Sequence, residues 1–458
     1  MKYSLLIAAV LLSLSAWSQD LALESPNKRK DPDWFKYNES YGFLSTSLAI
    51  DAQGNIYTGG TFENVFASRD TFYEMPRTPF RNTSPNYPFI QKHKSNGDLQ
   101  WMAYAEGQAR LHDLVVSTDS AVFITGEVWS DDLVFVSSNG QRDSLPKAHK
   151  QYERGLYLAR FNAQGIFQGA VFYSDLPHAN GSDLAIDSEG RIWVAGNYMY
   201  RQESELKRNW LLLRFSTQFE REFVFAGDST GRSGISAIAL DGRDQVYLGG
   251  WFSSHLNFFD QSIDVEHGTQ KSFVAKLNSD GELRWCNTAI TDPHEMHSQV
   301  VINEIEVDFW HRIYLSGSTF SRYFLAQLER DGELDWMKRC EGRSSYPFGM
   351  EWADKDLIVY GHGYGSSFKS RSTDEMISYQ AVASTDGFIL VEGWHGKLKE
   401  AIFLGGEGTD YVTALKCHEG KIYVLGHNLG GRETHLGKKV IPAGRPKMWL
   451  ASWSLDQN

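Results

Sequence analysis

The chain has 458 residues, 41% hydrophobic and 14% aromatic, and a formal net charge of −12. That charge argues against nucleic acid as a partner, although a local basic site can sit in an acidic protein. The three cysteines, Cys286, Cys340 and Cys417, are an odd number, which excludes a fully paired disulfide framework and leaves core packing to hold the fold.

From the first residue, Lys2 precedes an apolar run from Leu5 to Leu14, and Ala16-Trp17-Ser18 supplies small residues where a leader is cut. This is the layout of a secretory signal peptide over residues 1–18, and the run is too short to span a bilayer. No cysteine follows to carry a lipid anchor, and no later segment approaches about 18 apolar residues. The mature chain is expected to be soluble, secreted or periplasmic, with an N-terminal extension at 19–33 and one domain over 34–458.

A phrase of β-forming residues closed by glycine then recurs seven times: Ile56–Gly60, Val122–Gly126, Ile192–Gly196, Val246–Gly250, Ile313–Gly317, Leu357–Gly361 and Ile422–Gly426. The closing glycines lie 66, 70, 54, 67, 44 and 65 residues apart, a variation that a propeller absorbs in loops and a solenoid does not. An alternating strand precedes most copies, as in Leu48-Ala49-Ile50-Asp51, and the joining turns carry the Asp and Gly that hairpins need. A second hairpin follows, clearest in Phe273–Trp285 and Leu325–Trp336. The repeating unit is thus four antiparallel strands, a to d, which make one propeller blade.

The ends are complementary. Trp34–Glu39 aligns with Trp101–Glu106 and Trp336–Glu341, so it reads as a lone strand d placed before the first strand a. The last unit supplies a and b, then Met448–Trp453 as c, and stops. The expectation is an all-β, seven-bladed propeller whose N-terminal strand completes the C-terminal blade and hides its edges. These repeats resemble secreted bacterial propeller repeats, in which "G-N-x-Y-x-x-G" is followed by "F-x-x-K-x-x-x-x-G-x-x-x-W".

This strand order brings the d-to-a and b-to-c connections to one face, at the mouth of the central channel. The b-to-c connections are long, at roughly 61–88, 127–155, 197–209, 251–271, 362–387 and 427–447, which favours that face for a ligand. It gathers Arg110, His112, His178, Arg232, His294, His297 and Arg343, joined by His149, Tyr200 and Arg201 from the long connections. Cations, imidazoles and aromatics together point to an acidic polysaccharide, with rings stacking on sugar faces and Arg pairing with carboxylate or sulfate. Arg110, His149, His178, Tyr200, Arg201, Arg232 and Arg343 are the candidate substrate-binding residues. No G-x-S-x-G, H-E-x-x-H or P-loop is present.

β-Elimination beside a uronic acid needs a neutralised carboxylate, a base and an acid for the leaving oxygen. The chain resembles the propeller-type ulvan lyases, secreted seven-bladed enzymes that use His, Tyr and Arg on the channel face. The resemblance carries over to His112, Tyr198 and Arg214 as catalytic candidates. A second histidine of those enzymes has no direct match, with His149 and His178 as stand-ins. Two function classes follow: a lyase acting on a uronate-containing, sulfated polymer, or a non-catalytic propeller that binds a glycan or protein on the same face. Arg214 has a structural alternative, since Arg160 and Lys276 occupy its strand-c position in other blades, where pairing with an acid of the next blade is expected. Cys286, His294 and His297 could ligate a structural zinc ion, with a Cys286–Cys340 disulfide as the competing expectation.

Overall fold

The computed structural model describes residues 30–68, 71–74, 86–130, 132–145, 154–202, 205–228, 231–265, 270–288, 300–319, 322–339, 341–342, 345–369, 376–380, 385–393, 397–430 and 432–455. No helix occurs among them, and the strands form seven four-stranded antiparallel blades. Blade 3 is typical, with strands a to d at Asn180–Ile186, Ile192–Gln202, Glu205–Phe215 and Arg221–Ala226. Each innermost strand packs on that of the next blade, and the seventh, Asp410–His418, packs on the first, closing the ring.

Closure follows the expected plan with one refinement. Trp34–Ile50 is a single strand whose first part pairs with Lys447–Ser454 as strand d of blade 7 and whose last part is strand a of blade 1. Part of the expected extension joins it, because Trp453 Nε1 donates to the Lys30 carbonyl (2.9 Å) and Asp33 N to Ser452 O (2.7 Å). The expected leader, 1–18, lies outside the described residues.

Two side-chain devices repeat from blade to blade and account for the sequence pattern. The carboxylate that opens an a-to-b turn caps its own turn amides and accepts from the aromatic residue of strand b: Tyr57 to Asp51 (3.0 Å), Trp193 to Asp187 (3.2 Å) and Tyr247 to Asp241 (3.1 Å). A strand-c cation then lies over that ring, with Lys92, Arg214 and Lys276 at 4.9, 5.1 and 4.8 Å from the centroids. The second device links neighbours. The c-to-d turn glycine is left-handed and sits under the strand-d aromatic of the preceding blade. A Cβ on Gly97 would lie 2.4 Å from Trp34, on Gly165 2.7 Å from Trp101, and on Gly332 2.8 Å from Trp285. That contact is why Gly and Trp recur at a fixed spacing.

The long b-to-c connections are mostly hairpins. In three places they extend a sheet: Val134–Val136 pairs with strand d of blade 1, Gly365–Lys369 with Glu341–Gly342 after blade 5, and Thr434–Leu436 with strand d of blade 6. These insertions staple each blade to its predecessor, so part of what reads as an elongated ligand face is used to hold the ring together.

Candidate functional site at the channel mouth

Every innermost strand carries one β-bulge at the same height, at Thr46, His112, Ser182, Ser236, Asn303, Phe348 and Thr413. A bulge turns its extra residue out of the ladder, and four of these side chains reach a backbone carbonyl of the next blade. Thr46 donates to Leu111 O (3.2 Å), His112 Nδ1 to Gly181 O (2.9 Å), Ser236 to Ile302 O (2.6 Å) and Asn303 to Pro347 O. His112 is therefore a member of a structural ring as well as a mouth residue. A carbonyl only accepts, so Nδ1 carries the proton and the neutral ring keeps its lone pair on Nε2. Nε2 lies 3.9 Å from Glu127 Oε1, and Asn180 Oδ1 also meets Nδ1 at 2.8 Å.

Arg110, two residues earlier on the same strand, is the exposed cation of this group. Its guanidinium lies over Trp129 (5.2 Å), and its side chain is 43% exposed. The Glu127 carboxylate is 3.9 Å away, beyond hydrogen-bond reach. The other arginines that the fold uses are held more tightly, as with Arg191 on Asp187 (2.7 Å), Arg312 on Asp308 (2.7 Å) and Arg432 on Glu407 (2.8 Å). Across the ring, blades 6 and 7 present an aromatic rim. His362 packs between Tyr346 (5.4 Å) and Phe348 (4.9 Å), with Tyr411 at 4.7 Å and His427 beyond it. Burial pushes both imidazoles down to about 4, so at neutral pH they act as uncharged rings.

The other two catalytic candidates are both engaged within the fold. Tyr198 is buried on strand b of blade 3, and its hydroxyl donates to Gly227 O (2.6 Å). Tyr200 likewise donates to Gly231 O (2.9 Å). Arg214 corrects the lyase constellation. Tyr198 pairs with Asn209, and Arg214 lies five residues further along strand c, roughly 16 Å at a strand's rise per residue. There it binds Glu222 (2.6 Å) and the Ser279 carbonyl of the next blade (2.7 Å), on the turn face opposite the mouth. The role is structural, as the alternative expected, but the acid is on strand d of its own blade and the next blade contributes only a carbonyl. Tyr198 and Arg214 stand on the two paired strands of one long hairpin, at opposite ends of the blade.

His178 precedes strand a of blade 3 in a left-handed conformation (φ 50°), while Arg201 and Arg232 are exposed near the mouth. His149 and Arg343, and with them His294 and His297 of the zinc expectation, lie outside the described residues. Cys286 is a free thiol that packs against a hydrophobic cluster, and burial pushes it up to about 12. Cys340, the other half of the disulfide expectation, lies outside the described residues. Among the described residues no group of three His, Cys, Asp or Glu side chains is arranged to hold a metal.

Below the mouth the channel wall carries a set of acids that the sequence reading missed. Asp113, Asp183 and Glu304 each follow the bulge of their strand, with Glu306 and Glu351 deeper and Lys416 bound to Glu351 (2.6 Å). Burial raises Asp113; burial and then the charge of Asp113 raise Asp183 well above the carboxylate range. Burial and then Glu351 push Glu306 up to about 8. Such a group binds more protons folded than unfolded, so its contribution is complete at acid pH and is lost as pH rises through about 8. Glu306→Gln is expected to flatten the fall in thermal midpoint between about pH 5 and pH 8, and to stabilise the protein by roughly 1–3 kcal/mol at the upper end. An unchanged pH profile would remove Glu306 as the cause.

No family model matches the chain, and no curated protein matches it. Solved structures similar to it include virginiamycin B lyase from Staphylococcus aureus, at 10% identity and TM-score 0.34, covering 71% of this chain and 96% of that one. A protein of unknown function from Dyadobacter fermentans is similar at 10% identity and TM-score 0.43, covering 92% and 98%. A gluconolactonase from Xanthomonas campestris is similar at 12% identity and TM-score 0.34, covering 72% and 87%. At these scores the likenesses carry no argument about activity.

Proposed function

We propose that the chain is a glycan-binding propeller, acting outside the cytoplasm, that takes an acidic polysaccharide at its channel mouth. The observation that supports this reading is Arg110: a half-exposed guanidinium, laid on Trp129 and held by Glu127 only at 3.9 Å, beside His112 and Asn180. An arginine so placed can pair with a uronate or sulfate in two parallel hydrogen bonds. The aromatic rim of Phe348, His362 and Tyr411 offers apolar faces with polar edges, the chemistry that meets a sugar ring.

The test is binding of polygalacturonate oligomers and of their methyl esters to the mature chain. Arg110→Ala is expected to weaken the acid form roughly tenfold or more, the worth of a charge-assisted bond, and to leave the ester unchanged. Equal affinity of the variant for the acid form would overturn the proposal. A second reading, β-elimination, retains one favourable feature, a histidine two residues from Arg110 that bonds the fold through Nδ1 rather than Nε2. It lacks Tyr198 and Arg214, so the leaving oxygen would have to take its proton from another acid. Ultraviolet absorbance of an unsaturated product, lost in His112→Asn, would establish it.

A further inference from the structure

The face opposite the mouth is built from a-to-b and c-to-d turns, and six of its seven a-to-b tips carry no aromatic residue: Ala52-Gln53, Thr118-Asp119, Ser188-Glu189, Gly242-Arg243, Asp354-Lys355 and Glu419-Gly420. Blade 5 departs from them. Its turn, Asp308 to Arg312, places Phe309 and Trp310 at the tip, 89% and 67% exposed, with their rings nearly perpendicular at 6.1 Å. Two adjacent large apolar side chains this exposed are uncommon on a water-facing surface.

Three amides and the charged side chains of the turn are bound within it or to the next turn. Asp308 Oδ1 accepts from Trp310 N and Arg312 N, each at 2.9 Å, while Asp308 Oδ2 holds Arg312 Nε at 2.7 Å. His311 N closes the turn on Asp308 O (2.9 Å), and the His311 ring meets Asp241 at 2.9 Å. The left-handed φ of His311, 63°, fixes the tip as a tight hairpin turn. The charged side chains of the turn are thus already bound to one another or to the fold, which lowers the cost of taking the two rings out of water.

We propose that Phe309 and Trp310 form a membrane-interface anchor that enters the headgroup region of a zwitterionic bilayer. Area decides between a bilayer and a folded partner. A Phe and a Trp bury about 150–250 Å² each, well below the roughly 800 Å² per side of a stable protein interface. The neighbouring tips, Gly242-Arg243 and Asp354-Lys355, add no apolar surface to extend the patch. A bilayer interface needs only the rings, and Trp and Phe are the residues that settle there. The net charge of −12 favours neutral over anionic lipid. The contact is peripheral, and no helix among the described residues is long and apolar enough to cross a membrane.

The experiment is co-sedimentation of the mature chain with sucrose-loaded phosphatidylcholine vesicles, repeated with vesicles containing phosphatidylglycerol. The wild-type protein is expected to bind phosphatidylcholine vesicles, and Phe309→Ser with Trp310→Ser to lower the partition coefficient at least tenfold. Equal thermal midpoints for the two proteins exclude misfolding as the reason. A single Trp310→Phe variant should keep most of the binding while losing the quenching of tryptophan fluorescence by brominated lipid. No wild-type binding, binding confined to anionic vesicles, or undiminished binding by the double variant would each overturn the proposal. Saturable binding of this tip to a purified protein, without vesicle binding, would overturn it in favour of a protein knob.

Discussion

A chain lacking residues 30–39 is expected not to close and to aggregate on refolding, whereas the full chain remains monomeric. The six register pairs from Trp34–Ser452 to Glu39–Lys447 supply the whole outer strand of blade 7. Without them the strand Lys447–Ser454 becomes an open apolar edge, with Met448, Trp449, Leu450 and Trp453 behind it, and such an edge pairs with other chains. Trp34 also leaves Tyr423 (6.3 Å) and the bare surface of Gly97, so the link from blade 7 to blade 1 goes with it. The loss is comparable to the net stability of a whole domain, about 5–15 kcal/mol. Size-exclusion chromatography and circular dichroism read the outcome, and a synthetic peptide of residues 30–45 added in trans should restore the monomer. A truncated chain that stays monomeric with an unchanged thermal midpoint would show that the ring does not depend on this strand. Gly97→Ala is the milder probe of the same contact, because its Cβ would force Trp34 aside.

The ring was legible in the sequence because its causes are local and repeated. Asp at a turn, an aromatic on strand b, a cation on strand c and a Gly under the preceding blade's Trp all recur within one unit of chain. The split outer strand was legible for the same reason, since Trp34–Glu39 carries strand-d residues at the wrong end of the chain. The site was less legible because it depends on which end of a strand a residue occupies. Tyr198 and Arg214 are candidates through a family resemblance, which carries no register, and their pairing sends one toward the mouth and the other to the opposite turns. The channel acids were missed although a signal was there. Asp113, Asp183 and Glu304 each stand directly before a buried aliphatic residue of strand a, Leu114, Leu184 or Ile305, the place held by Ser47 before Leu48 and by Ala414 before Leu415. Only the radial arrangement shows that this place faces the axis, so that residues about 70 positions apart meet as like charges.

One ion pair between blades should have the largest single-residue effect on stability. Lys338, on strand d of blade 5, meets both oxygens of Glu392, on strand c of blade 6, at 2.6 and 2.7 Å, with side-chain exposures of 7% and 0%. Neither group can reach water if its partner is removed, so Glu392→Leu is expected to cost about 3–5 kcal/mol by leaving an ammonium buried without a counter-charge. Lys338→Met should cost less at acid pH. Burial already raises the Glu392 pKa, against the pull of Lys338, and without the lysine the carboxyl can stay protonated. The stability of Lys338→Met should therefore fall as pH rises above the usual carboxylate range, because the folded state then holds a proton that the unfolded chain releases. Replacing both residues, Lys338→Met with Glu392→Leu, removes the desolvated charges together. The double variant is expected to recover most of the loss, since well-packed apolar pairs often equal buried ion pairs. Urea unfolding of the three variants at two pH values measures each arm. Additive losses in the double variant would mean that the blades are held here by packing alone and that the ion pair is incidental to the interface.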